Sequence, residues 1–282
     1  MRSMFDSCSS LISLNLDNFD TSKVENMGNM FTLCSALTSL NLSSFDTKRV
    51  SHMGVMFGGC SSLKSLDLSN FNTSSVTVME NMFRFCSSLT SLNLINFNTS
   101  SVSYMLYMFY GCSLLSSLDL SNFDTSQAND MLYMFFGCSS LTSLDLSNFN
   151  ISSDTNMRYM FSGCFLLSFI DLSNFNSIQV DYMKCIFQNC EKLEYVNLKN
   201  GKINSNMTFS SECSSHPKKL TICSEDDEWQ ILFNLSETQY IKCVNSISSS
   251  NNNEIEHLIK CFKNKIELDN PCRICGKVLQ KR

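Results

Sequence analysis

The sequence predicts an α/β repeat solenoid, with parallel strands on one face, short helices on the other and a small cysteine-rich cap at the C-terminal end. Three observations carry this. Cys8, Cys34, Cys60, Cys86, Cys112, Cys138, Cys164 and Cys190 follow one another at a constant step of 26 residues. Phe5 to Phe187, Leu11 to Leu193 and Leu16 to Leu198 keep the same step. Within each step, a short alternating apolar run is joined to a run with three- and four-residue spacing.

The alternating run gives the strand. Leu37, Leu40 and Leu42 have the form LxxLxL, and its end alternates as a half-buried strand does. The second run gives the helix. Val24, Met27, Met30, Phe31 and Cys34 would share one helical face. Asp20, Thr21 and Ser22 precede it as candidate caps, and Ser22 with Glu25 forms a capping box. One such unit cannot bury enough apolar surface to offset the ordering of its own chain. Stacked neighbours must complete the burial, and the ends need caps. The repeated cysteine falls between Phe31 and Leu37, where a reduced thiol serves as a small core hydrophobe. Equivalent cysteines point the same way, which disfavours bridges between neighbouring repeats.

Composition agrees with a few positions used many times. The 282 residues include 2 prolines, 9 glycines, 15 cysteines, 16 methionines and 22 phenylalanines. The net charge of −5 argues against nucleic acid as the main partner. No apolar run reaches the roughly 18 residues of a membrane span. The three histidines, His52, His216 and His257, do not repeat, and no phosphate loop or Ser/His/Asp or Cys/His arrangement points to catalysis. No signal peptide precedes the first repeat. Met1 already falls on a repeat position, since MRSMFDSC matches MGNMFTLC at 27–34, which points to an N-terminally incomplete chain.

The pattern MFxxCxxLxxLxLSxFxTSxVxxM, seen at 56–79, resembles the repeat of BspA-type bacterial surface proteins. These are leucine-rich-repeat-like proteins, found also as Listeria and Mycoplasma surface lipoproteins and in mucosal protists. The resemblance covers residues 1 to about 198. It implies a location at the cell surface or outside the cell, attachment to host proteins or neighbouring cells, and no catalytic residues. The last unit departs from the pattern: Ile186 replaces methionine, Val196 replaces leucine, and Gly201 stands where phenylalanine is due.

Two surfaces are candidates for binding. Between the core leucines the outward strand position reads Asn15, Asn41, Asp67, Asn93, Asp119, Asp145, Asp171 and Asn197. This stripe is either a site for a basic or hydroxyl-rich partner, with calcium conceivable through stacked carboxylates, or a solvated face whose polar side chains support one another. On the helical layer, Tyr107, Tyr133 and Tyr159 form one column and Leu106 and Leu132 the next, with Tyr110 and Phe136 a turn along. They form either an exposed aromatic-aliphatic interface or a half-buried seam between helices. Asn-x-Ser/Thr sequons at Asn41, Asn72, Asn98, Asn150, Asn206 and Asn234 follow partly from the repeat itself.

The solenoid is assigned to residues 1–200 and the cap and tail to 201–282. The language changes there. Residues 1–198 carry 9 Lys and Arg against 16 Asp and Glu, whereas 199–282 carry 12 against 10. The tail holds Trp229, a helix start at Ser224–Asp227, and an amphipathic run through Ile255, Leu258, Ile259, Phe262 and Ile266. Its cysteines, Cys213, Cys223, Cys243, Cys261, Cys272 and Cys275, suit disulfides in an extracellular cap. Cys272 and Cys275 also resemble one zinc knuckle, although a closed site needs four ligands. Two functions follow: a non-enzymatic surface recognition or adhesion protein with protein partners and no cofactor, or an intracellular interaction scaffold with a C-terminal zinc.

Overall fold

The computed structural model describes residues 1–146, 148–151, 155–175 and 183–198, together with two short strands further on. The chain winds as successive 26-residue coils, each hydrogen-bonded to the next. β1 (Ser65–Asp67) runs parallel to β2 (Ser91–Asn93), with Leu66 opposite Leu92. β3 (Phe169–Asp171), β4 (Tyr195–Leu198), β5 (Thr221–Ser224) and β6 (Tyr240–Lys242) form a second parallel sheet in that order. Tyr195 faces Thr221, which keeps the repeat step, and Ile222 faces Tyr240, which shortens it. On another side of the coil, Asn26, His52, Val78, Tyr104, Asp130 and Asn156 are joined in series by single parallel bridges.

The strands are shorter than one continuous sheet would require. The outward residue that ends β1, β2 and β3 folds back on its own chain: Asp67 Oδ1 accepts the Ser69 N–H at 3.0 Å, Asn93 Oδ1 that of Ile95 at 3.2 Å and Asp171 Oδ1 that of Ser173 at 2.9 Å. Such Asx turns compete with strand extension.

The helical layer is absent: no α-helix occurs among the described residues. Asn29 and Leu33 have φ of 56° and 58°, and the same two positions are left-handed in every other repeat, including Val55 with Gly59 and Tyr107 with Gly111. A left-handed residue every fourth position breaks an α-helix into successive tight turns. The amides then alternate. Those of Met30, Thr32 and Cys34 bond three residues back, to Met27, Asn29 and Phe31. Those of Met27, Asn29, Phe31 and Leu33 reach sideways to His52, Gly54, Met56 and Gly58 on the next coil. A helix would satisfy all of them internally and leave none to bind the neighbour. The tight turns retain the inward spacing of Met27, Met30, Phe31 and Cys34, which is why the pattern reads as helical.

The expected caps have other roles. Asp20 Oδ1 accepts both the amide and the hydroxyl of Ser22 in an Asx turn. Thr21 is buried; its hydroxyl donates to the Asp46 carbonyl at 3.0 Å and accepts the Asp46 N–H at 2.8 Å. Thr47, Thr73, Thr99 and Thr125 do the same toward Asn72, Asn98, Asp124 and Asn150.

The core is a set of columns. Phe5, Phe31, Phe57, Phe83, Phe109, Phe135, Phe161 and Phe187 stack nearly parallel, with neighbouring centroids 5.4–5.9 Å apart. Beside them, Cys34 to Cys190 are buried and free of disulfides. Each thiol donates to the carbonyl of the phenylalanine on the preceding coil, as Cys86 does to Phe57 at 3.1 Å and Cys112 to Phe83 at 3.1 Å. Cys8, in the first coil, is exposed. Cys185 stands apart from this column and is disulfide-bonded. No helix among the described residues is long and apolar enough to cross a membrane.

Candidate recognition face

The turn layer presents the columns that the sequence singles out. Tyr107, Tyr133 and Tyr159 occupy the first left-handed position of three consecutive coils, at φ of 57°, 57° and 56°. That conformation is uncommon for a bulky side chain, and the coil-to-coil hydrogen bonds hold it. Tyr107 N–H donates to Leu132 O at 2.9 Å, and Tyr133 N–H to Arg158 O at 3.1 Å. The rings stack in register: Tyr107 on Tyr133 at 5.1 Å and 12°, Tyr133 on Tyr159 at 4.8 Å and 3°. Tyr110 stacks on Phe136 at 4.7 Å in a second column. The two columns meet through edge contacts, Tyr133 to Phe136 at 5.4 Å and Tyr110 to Tyr133 at 6.1 Å. All five rings, with Leu106 and Leu132, are half-buried. Face-to-face stacking hides the ring faces, so it is the edges that meet solvent.

The ring cluster raises the Tyr133 phenol above its ordinary value, first through burial and then through the neighbouring Tyr159, Tyr107 and Tyr110. Beneath it, Asp130 Oδ1 accepts the Leu132 N–H at 3.0 Å. Burial pushes the Asp130 carboxyl up, and that amide pulls it back.

Three features of this face were not picked out from the sequence. Arg84 closes one end: its guanidinium lies 5.0 Å from the Phe85 ring centroid, 5.2 Å from Tyr107 and 5.3 Å from Tyr110. It donates to Asn81 Oδ1 at 3.3 Å. Phe85 is exposed and meets Tyr110 edge-on at 5.0 Å. Its ring lies over the next coil's Gly111, where an added Cβ would come within 2.7 Å of it. Leu33 covers Gly59 in the same way. The third feature is a gap. At Gly137 and Gly163 an added Cβ would meet only the preceding glycine's backbone, so among the described residues no side chain covers them as Phe85 covers Gly111. A glycine-floored track thus continues from Gly111 along the Tyr110–Phe136 column. The signal was present in the alternation of Leu33, Gly59, Phe85, Gly111, Gly137 and Gly163 at one column, because glycine inside a supposed helix marks a turn.

The strand-face stripe has a structural explanation. Asp67, Asp119 and Asp171 each accept a backbone amide two residues on, from Ser69, Ser121 and Ser173, at 2.9–3.0 Å. Asn15, Asn41 and Asn93 make the same bond to Asp17, Ser43 and Ile95. Carboxylate and amide are interchangeable in this role, which accounts for the mixture of Asp and Asn. These amide and serine hydrogen bonds hold Asp67 and Asp119 below the usual carboxylate range. Asp145 is exposed in the same column. Among the described residues, no group of three or more His, Cys, Asp or Glu could hold a metal ion. Cys272 and Cys275 lie outside the described residues, as do residues 225–227, Trp229 and the run from Ile255 to Ile266; Ser224, expected to start a helix, instead ends the strand β5.

A family model described as "Mycoplasma protein of unknown function, DUF285" matches residues 1–118 and 85–200. The chain belongs to the DUF285 family. The match spans the coils that carry the aromatic face. No curated protein matches the chain. Among solved structures, a leucine-rich repeat protein from Bacteroides ovatus is similar over 85% of this chain and 80% of its own, at 17% identity and a TM-score of 0.30.

Proposed function

We propose that this DUF285 protein is a non-enzymatic recognition protein of the cell surface that binds other proteins through its turn face. The observation that carries the reading is the contiguous half-exposed ridge of Tyr107, Tyr110, Tyr133, Phe136 and Tyr159. Apolar and aromatic side chains gathered on one face of a repeat array suit a protein interface. The glycine track beside them suits an apolar side chain from a partner, held over Gly137 and Gly163 as Phe85 is held over Gly111. The strand face contributes less, because its polar groups are used in turns. A disulfide at Cys185 supports an oxidising compartment. The resemblance to BspA-type surface proteins supports the same location. No cofactor enters this reading.

Two measurements test it. Mild proteolysis of intact cells should release peptides from residues 1–198 without lysis. Immobilised wild-type protein should retain labelled surface proteins of neighbouring or host cells, and Leu132→Asp or Phe136→Ala should reduce that retention at least severalfold. Recovery of the peptides only after lysis would replace this reading with an intracellular scaffold. Zinc at Cys272 and Cys275 would then be tested by metal analysis.

A further inference from the structure

The tyrosine column carries a second chemistry, independent of the recognition reading. Three phenol rings lie in nearly parallel register at 5.1 and 4.8 Å, on three consecutive coils, each half-exposed to solvent. No other pair of tyrosines among the described residues is stacked in this way. Tyr110 approaches Tyr107 at 53° and Tyr133 at 65°. Stacked rings in a fixed register place ortho carbons of neighbouring phenols close together without any diffusion, and such pre-orientation accelerates coupling steeply.

We propose that Tyr107, Tyr133 and Tyr159 are an oxidative cross-linking site, at which a haem peroxidase acting on hydrogen peroxide joins neighbouring rings into dityrosine. Two adjacent phenols each lose one electron and one proton and become phenoxyl radicals. A carbon–carbon bond forms between their ortho carbons. Each coupled carbon then gives up its hydrogen while the phenol oxygen regains one, which restores both aromatic rings. The net loss is two electrons and two protons, and the peroxide takes up both to leave two waters. The product is a covalent staple between successive coils on the turn face. It joins Tyr133 to either Tyr107 or Tyr159. Those two are separated by a whole coil and do not couple directly.

The test treats the full chain, at low concentration, with a haem peroxidase and hydrogen peroxide. Dityrosine is read by its blue fluorescence, and the linked peptides are identified by tandem mass spectrometry. The expected product is a monomer that has lost two hydrogens, with Tyr133 linked to Tyr107 or Tyr159. Tyr133→Phe keeps the ring and its stacking but should bring the yield down to that of the urea-unfolded chain. The double variant Tyr107→Phe/Tyr159→Phe should do the same. Tyr104→Phe and Tyr110→Phe should leave the yield unchanged. Circular dichroism checks that each variant is folded. The proposal is overturned if Tyr133→Phe cross-links as well as wild type, if the linked peptides join only separate molecules or run through Tyr104 or Tyr110, or if the unfolded chain gives the same yield.

Discussion

The buried cysteines show how one repeated side chain controls stability. Burial raises the Cys60 thiol from its ordinary 9.0 to about 12, and repulsion from a Cys34 thiolate adds to the shift. Cys138 and Cys190 also reach about 12 through burial, and burial raises Cys86, Cys112 and Cys164 well above their ordinary value. Below pH 9 the thiols are protonated in both folded and unfolded chains, so this column adds no pH dependence. Between pH 9 and 12 the unfolded chain has released protons that the folded chain still holds. Stability therefore falls as pH rises, by about 1.4 kcal/mol per pH unit for each thiol. Urea unfolding followed from pH 8 to 10.5 should show this steep loss, and Cys112→Ala should make it shallower. A thiol reagent on the native protein should modify Cys8 and leave the Cys34–Cys190 column untouched until denaturant is added. Thr73 makes a similar argument through hydrogen bonds. Thr73→Val keeps the shape but strands the Asn98 N–H and C=O, each now 2.8 Å from the hydroxyl. The expected cost is about 2–3 kcal/mol, measured by chemical denaturation.

Each coil's turn layer shows where sequence reading succeeds and where it fails. The inward positions were legible because Met27, Met30, Phe31 and Cys34 must face the core whether the backbone is a helix or a run of tight turns. The element type was not legible from that spacing. It is decided by the two left-handed residues, and these were visible only in the column that turns to glycine at 59, 111, 137 and 163. Glycine should therefore matter unequally along this column. Gly137→Ala introduces only the left-handed strain, about 1 kcal/mol, because its Cβ has nothing nearer than 3.8 Å. Gly111→Ala carries the same strain and must also displace the Phe85 ring, for a total of about 2–4 kcal/mol. Denaturation of both variants, with Phe85→Ala alongside, checks the difference. In Phe85→Ala the extra cost of Gly111→Ala should disappear. The tyrosine columns were equally legible as neighbours, but not as stacked rings, because register between coils depends on sideways amide bonds that no single repeat reveals.

The array as a whole was legible because its step never varies across eight cysteines, and the structure gives that constancy a physical cause. A backbone amide on one coil finds its partner 25 or 26 residues away, as Met27 does at His52 and Ser51 at Glu25. The phenylalanine stacks span 26 residues and the threonine bonds 25, while each thiol reaches a carbonyl 29 residues back, so every column advances by the same 26-residue step. Any insertion within a coil would therefore break several columns at once. The C-terminal segment was less legible: its sequence no longer spells out the repeated motif, and although Thr221 pairs with Tyr195 at the repeat step, Tyr240 pairs with Ile222 at a shorter one. Coils that contact only their neighbours should tolerate loss of a complete unit. Deleting residues 56–81 joins Val55 to Met82, which places Met82, Phe83 and Cys86 where Met56, Phe57 and Cys60 stood. This shortened protein should still unfold in one cooperative step, with lower stability, and should keep the ridge from Arg84 to Tyr159 unchanged. Deleting only 56–68 brings a strand segment against a turn segment and leaves Cys34 without its aligned successor. That variant should lose cooperative unfolding and near-ultraviolet dichroism. If both deletions fold equally well, column register does not hold the coils together. If neither folds, the array is stabilised by its full length rather than by contacts between adjacent coils.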